Sequence, residues 1–453
     1  MSKFTQLPPG PGNFQMISQI RTIQRNPLRF LENAAHQYGD IVYFPVGTLP
    51  VFFINHPDYI KYVLQENNHN YSKDTIQYNS LARITGKGLL TNDGDDWLRQ
   101  RRLSQPAFTR QRILSFGDMI VQSTVNFISQ WENGVLTGQP VDIDRNMMRL
   151  TLEIVGKSLL GIDLSHEANE LTEAVIITLD HIMYGARNTI VLPDYFPTPR
   201  NQRFKQALHR LDQAVYSIID QHLQKELSHE DLLSMLMAVK DEETGQGMST
   251  QQLRDEIITI LVAGHETVAS ALTWTWYLLS KNPAIYEQAI SEVDRVLQGR
   301  LPNVDDLPQL ALIKMIFDES LRIYPPAWLI TRKAISEDQI GQFNIPKNSL
   351  IIISPYTIHR HTSFWESPET FNPLNFSQEK SISRPRYSYI PFGGGPRLCI
   401  GNNFALVEAQ LILSVILQRY RFNLVPDHPI EVEPLVTLRP RYGMPVTLHM
   451  RLR

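Results

Sequence analysis

One run of apolar residues limits what this chain can become. From Ile257 to Leu279 it is almost continuously hydrophobic, and no other stretch of comparable length is. A helix that is apolar all round must be enclosed, either by a bilayer or by other parts of the protein. His265 and Glu266 lie near its middle, and ionisable groups at mid-bilayer depth are costly. The run therefore reads as a helix walled in by protein. Ser249 with Gln252 fits a capping box at its start, so the helix is expected from Ser249 to about Ser280. Inside it, Gly264 costs about 1 kcal/mol relative to alanine, which calls for a reason.

The second constraint is Phe392-Gly393-Gly394-Gly395-Pro396-Arg397-Leu398-Cys399-Ile400-Gly401. Cys399 is the only cysteine, so an intrachain disulfide or a paired-cysteine metal site is excluded. Its absence of partners suits a reducing compartment. Glycines and a proline before it predict a tight loop whose N–H groups approach the sulfur. The apolar run Phe404 to Leu417 predicts a helix directly after it. A thiol at a helix start, near N–H groups, favours its thiolate. The residue is then a nucleophile, a metal ligand or an inert buried thiol.

These ten residues resemble the haem-binding loop of the cytochrome P-450 family, with Phe392, Gly395, Arg397, Cys399 and Gly401 at the family's offsets. The resemblance implies a haem b cofactor with Cys399 as axial thiolate, a ligand that favours O–O cleavage. It implies that Arg397 neutralises a haem propionate and that Phe392 packs near the sulfur. Trp97 and Arg101, one helical turn apart, match a Trp-three-Arg pair that reaches the propionates, and Arg332 matches a further propionate arginine. Ala263-Gly264-His265-Glu266-Thr267 matches the family's oxygen-activation motif and is similar to the bacterial fatty-acid-hydroxylating branch. On that reading Gly264 leaves room over the haem, Thr267 donates a hydrogen bond and Glu266 relays protons. Glu319 and Arg322 match a buried Glu-x-x-Arg pair. Its usual third member, an arginine in Phe-x-Pro-x-Arg-Phe, is replaced by Asn375, which brings a hydrogen bond but no charge.

The implied fold is mainly α with a smaller β region (α+β), as one haem domain over 1–453. The β-rich parts are expected at about 38–70, 324–390 and 430–453, and the helical parts at about 90–323 and 391–425. A hairpin is expected from Asp40–Val46 and Pro50–Ile54, then a helix from Pro57 to about Gln65. The segment from Tyr71 to Asp96 reads as irregular. Helices are expected near 113–161, 167–184, 202–225, 230–239, 283–297 and 307–323. The break at Leu192–Pro199 corresponds to a roof over the substrate channel, and 241–248 is a polar turn. His359 and His361 are assigned structural roles ahead of a short helix before Trp365. Leu435–Leu438 and Pro445–Met450 are expected to pair as a hairpin whose tip enters the pocket.

The implied activity is insertion of one oxygen atom of O2 into a hydrophobic molecule, a fatty acid or a terpene-like compound. Leu89, Leu90, Val262, Ala263, Ala327, Leu329, Leu435 and Val436 are the expected lining, with Tyr78 or Arg83 as candidate holders of a carboxylate. Electrons are expected from a separate ferredoxin or flavodoxin with its reductase, docking on Arg99 and Arg102. Rival readings are a peroxide-driven or isomerising haem-thiolate enzyme, which needs no acid–threonine relay, and a haem-based gas sensor or carrier. A net charge of −3 argues against nucleic acid as a partner. Met1–Gln6 is polar and lacks the apolar core of a signal peptide, so a cytoplasmic protein without a membrane anchor is expected.

Overall fold

The structure, a computed structural model, describes residues 7–163, 168–188, 192–224, 231–240 and 245–451. The N-terminal Met1–Gln6 and part of the polar turn at 241–248 lie outside them. The chain folds mainly into α-helices, with small sheets gathered from distant segments.

The apolar run lies within the longest helix, Thr250–Lys281. Ser249 caps it by accepting from the Gln252 N–H at 3.2 Å; its reciprocal half is not among the cap's bonds. Asn282 and Pro283 stop it, and a new helix runs from Pro283 to Leu297. The most apolar stretch of Thr250–Lys281 is long and hydrophobic enough to cross a membrane, yet 78% of that stretch is buried inside the protein. Trp274 and Trp276 are wholly enclosed. The helix packs against Ile143–Leu159, whose Met147, Leu150, Ile154 and Val155 are buried with it in the largest apolar cluster. Thr151 Oγ1 donates across this contact to the His265 carbonyl at 3.0 Å. A Cβ on Gly264 would come within 3.2 Å of Val155 Cγ2. That glycine therefore serves close helix packing, a role additional to the room expected over a cofactor.

The main sheet runs, in spatial order, Ile41–Val46, Leu49–Ile54, Leu350–Ile353, Ile330–Ala334 and Tyr71–Ser72. Its first two strands form the expected hairpin, with Ile41 opposite Ile54 and Val46 opposite Leu49. The period of two divides their side chains. Val42, Phe44, Val51 and Phe53 pack beneath the helix Pro27–Tyr38, while Ile41, Phe52 and Ile54 meet Ile60 and Val63 on the other face.

Several expectations need correction. The segment from Tyr71 to Asp96 is not irregular throughout, because Ile76–Thr85 is a helix closed by Gly86 at positive φ. The helix expected to about Gln65 changes at Tyr62 into a π-helical turn, Tyr62–Glu66. The short helix near the histidines, Pro355–Ile358, precedes His359 instead of following His361. Pro445–Met450 does not pair with Leu435–Leu438. It lies between Tyr420–Leu424 and Val141–Asp142, so strands also occur where helix was expected. The hairpin that does form joins Val432–Pro434 to Leu438–Pro440, with Leu435–Thr437 at its tip.

Candidate active site

Glycine geometry builds the cysteine loop. Gly393 and Gly395 have φ of 72° and 64°, a region that disfavours other residues. A Cβ on Gly395 would lie 1.8 Å from the Leu64 carbonyl oxygen, so the loop sits directly on the π-helical turn. Tyr387 fastens both, donating to Gln65 Oε1 at 2.6 Å and accepting from the Gly395 N–H at 3.2 Å. The Cys399 N–H closes the loop onto the Phe392 carbonyl at 3.0 Å, and the helix Asn402–Arg419 follows. Cys399 keeps accessible surface although protein surrounds it. Burial pushes its thiol up, opposed by the Gly401 N–H and by the charges of Arg101 and Lys73.

A second accessible strip lies on the long helix. Ile260, Ala263, Gly264 and Thr267 are partly accessible while their neighbours are buried. Their spacing of three and four residues puts them on one face. Thr267 Oγ1 donates to the Ala263 carbonyl at 2.8 Å. Val262 is 4% exposed and points away from this face into the core, so it is removed from the expected pocket lining. Glu266 also faces away from the strip, where Thr437 Oγ1 donates to its Oε1 at 2.9 Å. Burial raises the Glu266 carboxyl, and Arg439 partly offsets this.

The remaining lining candidates, Leu89, Leu90, Ala327, Leu329, Leu435 and Val436, are all accessible in part or more. The Leu89 N–H donates to Glu256 on the long helix at 3.0 Å. Trp328 Nε1 donates to the Leu435 carbonyl at 2.8 Å, joining the hairpin tip to the 327–329 segment. The two candidate carboxylate holders are engaged elsewhere. Arg83 pairs with Asp194, which also accepts from His181 at 3.0 Å, and the Tyr78 hydroxyl accepts from Arg332 at 3.3 Å.

Near the sulfur, cations collect. Arg101 Nη1 donates to the Leu398 carbonyl at 3.0 Å. Arg397 stacks on Trp97, 3.6 Å from the ring centroid, donates to the Asn92 carbonyl and pairs with Asp93. Arg332 is 5% exposed. Sequence reasoning missed Lys73, which is 7% exposed and donates from Nζ to the Leu90 carbonyl at 2.7 Å. Burial first, then Arg332 and Arg397, hold its ammonium well below the usual lysine range. Burial likewise pulls Arg397 down to about 10. Among the described residues, Asp93 is the one carboxylate in ion-pair contact with any of these four basic side chains. Buried charge of one sign is costly unless compensated. A dianion beside a cysteine sulfur is what this donor set lacks, and the two carboxylates of a haem supply it, so the residues fit that group.

Arg99 lies at the surface with its charge partly engaged. Its guanidinium donates to the Gln246 and Gly247 carbonyls at 3.1 and 3.2 Å, while Arg102 is exposed. His359 and His361 bind neighbouring protein groups: His359 Nε2 accepts from the Ile390 N–H at 2.8 Å, and His361 meets Asp40 at 3.0 Å.

A helical body with small mixed sheets, a glycine-set cysteine loop and a buried cation cluster fits the class of haem-thiolate oxidoreductases. The match to the family profile described as Cytochrome P-450 extends over residues 8–445, and the chain belongs to that family. Cyclooctatin synthase of Streptomyces melanosporofaciens is 35% identical over 94% of this chain and 92% of its own. Pentalenene oxygenase of Streptomyces avermitilis is 31% identical over 94% of each, and cyclooctat-9-en-7-ol 5-monooxygenase of S. melanosporofaciens is 31% identical over 92% of this chain and 89% of its own. A crystal structure of a cytochrome P-450 haem domain superposes with a TM-score of 0.89, covering 99% of this chain and 98% of that one at 24% identity, which shows the fold. The family implies a haem-thiolate cofactor.

Proposed function

We propose that this enzyme is a monooxygenase that inserts one oxygen atom of O2 into a terpene-like hydrophobic substrate, using electrons from a separate redox protein. The two accessible strips, around Cys399 and along Ile260–Thr267, are read as the two walls of one haem slot. Cys399 would be the axial ligand, and Arg101, Arg332, Arg397 and Lys73 would hold the propionates of a haem b. The bound haem supplies O2 activation. The chain's own residues do the rest. Thr267, whose hydroxyl now satisfies Ala263, turns its donor into the slot, and Glu266 supplies the proton that Thr267 passes on. Leu89, Leu90, Ala263, Ala327, Leu329, Leu435 and Val436 exclude water and hold substrate by apolar contact.

The observation that carries the substrate choice is the pairing of Arg83 with Asp194, a carboxylate of the chain itself that already meets its charge. The names of the three relatives, one of them after pentalenene, support the same choice over a fatty acid. A ferredoxin or flavodoxin docking at Arg102 in the cytoplasm completes the reading. The test is spectral. The reduced protein with carbon monoxide should show the strongly red-shifted Soret band of thiolate ligation, lost in Cys399→Ala. Terpene hydrocarbons should shift the ferric spin state and yield hydroxylated product. A spin shift produced by fatty acids alone would overturn the substrate class, and a retained red-shifted band in Cys399→Ala would overturn the ligand.

A further inference from the structure

Behind the long helix, on the side away from the accessible strip, Glu266 belongs to a buried charged group that the relay reading leaves unexplained. Its carboxyl is 3% exposed. Thr437, at the tip of the C-terminal hairpin, donates to it. The next strand carries Arg439, whose Nη2 lies 2.6 Å from Asp144 Oδ2 in the first turn of Ile143–Leu159. Both side chains of this pair are largely buried, at 14% and 7% exposure. The arrangement is rigid, because the Leu438 carbonyl between Thr437 and Arg439 accepts from Ser270 Oγ at 2.5 Å and Trp274 Nε1 at 2.9 Å. Those two donors sit on the long helix, one and two turns beyond Glu266.

Counting charge decides the state of the acid. Among the described residues, Arg439 is the one cation that acts on Glu266, and it already meets Asp144. His265 is wholly buried, its Nδ1 faces the Leu261 carbonyl, and burial lowers it to about 4, so it adds no positive charge near neutrality. Asp142, on the same side, adds negative charge and is occupied by the Asp144 and Met444 N–H groups. One arginine cannot balance both Asp144 and Glu266 as anions in a dry site. Burial raises both acids, but Asp144 holds the direct ion-pair contact with Arg439 and Glu266 only a neutral hydroxyl.

We propose that Asp144, Arg439 and Thr437 are positioning residues that keep Glu266 uncharged and loaded with a proton on the far side of the helix from the slot. Asp144 occupies Arg439, and this denies Glu266 the partner that would ionise it. Thr437 holds the loaded carboxyl in place until it turns toward Thr267. The inference rests on the proposed role of Glu266 as proton source and adds what sets its state.

Infrared difference spectroscopy of the purified, haem-loaded resting protein at neutral pH reads that state without turnover. The wild-type-minus-Glu266→Gln difference should show the carbonyl stretch of one buried carboxylic acid, the bands of other buried acids such as Glu408 and Glu256 cancelling. In Asp144→Asn the freed Arg439 should pair with Glu266, and the band should be lost at neutral pH and return only in acid. In Thr437→Val the band should persist at a higher frequency, because its hydrogen bond is gone; this variant keeps the test available if Asp144→Asn does not fold. Product formed per reductant consumed should fall at least several-fold in Asp144→Asn. No acid band in that difference, an unchanged band in Asp144→Asn, or no frequency shift in Thr437→Val would overturn the proposal. If Glu266→Gln leaves coupling intact, the relay reading itself fails. If Glu266→Gln uncouples while Asp144→Asn keeps both band and coupling, the relay stands and only this inference falls.

Discussion

Glu319→Gln removes one charge from a fully enclosed ion pair and changes almost nothing else in shape. Glu319 and Arg322 are both 0% exposed. Arg322 spends all five of its N–H donors: two on Glu319 at 2.7 and 2.8 Å, and three on the carbonyls of His359, Pro368 and Thr370. Glu319 Oε1 also accepts from the Asn372 N–H at 2.9 Å and Asn375 Nδ2 at 3.1 Å. A glutamine must turn its NH2 toward at least one donor, and it leaves the guanidinium without a countercharge. Breaking a buried pair in this way costs about 3–5 kcal/mol. An unfolding entropy of about 2.1 cal/mol/K per residue gives roughly 1 kcal/mol/K over the 453 residues. The melting temperature should therefore fall by about 3–5 °C in calorimetry of the haem-loaded protein. A fall of less than about 1 °C, with the unfolding enthalpy unchanged, would refute the reasoning and show that hydrogen bonds alone hold this junction.

Three further outcomes follow from the same structure. Arg384 stacks over Trp365 at 4.0 Å, donates to the Asn375 carbonyl at 2.9 Å and lies within electrostatic reach of Glu319; Arg384→Met should cost about 1–2 kcal/mol by chemical denaturation. Burial raises Glu256 from 4.5 to about 7, so its contribution to stability is intact below pH 4.5 and is lost as pH rises through 7. Glu256→Gln should thus melt higher than the wild type at pH 8, by at most about 3 kcal/mol, and alike near pH 4; equal melting at pH 8 would contradict this. Gly395→Ala has no space against the Leu64 carbonyl and an unfavourable φ of 64°, so it should purify with little bound haem while its far-UV circular dichroism stays near that of the wild type.

The cysteine loop, the long helix and the Glu319–Arg322 pair were legible because each is a local pattern whose residues act within one turn or one loop. Lys73 was not, since nothing beside it in the chain announces burial; the surrounding Leu90, Tyr78 and Arg332 arrive by folding. The helix Ile76–Thr85 was hidden by its polar Gln77 and Asn79, although Gly86 marked its end. Val262 was misassigned by phase: the step of one residue from Ala263 turns a side chain about 100° around a helix. Arg384 partly makes good the charge that Asn375 lacks, a compensation invisible to a motif that inspects one position. The pairing of Pro445–Met450 with Tyr420–Leu424 joins strands that no turn connects, so local sequence could not assign it.

The perch of the cysteine loop also orders events in the life of the chain. Leu64, Gln65, Asn92, Asp93 and Arg101 grip a ribbon that leaves the ribosome much later; Arg101 and its acceptor Leu398 stand 297 positions apart. The residues that hold the loop are therefore made long before the sulfur they surround. On the proposed reading of Cys399 as the haem ligand, cofactor capture is deferred until translation is nearly over, and a nascent chain halted before Cys399 would lack that ligand.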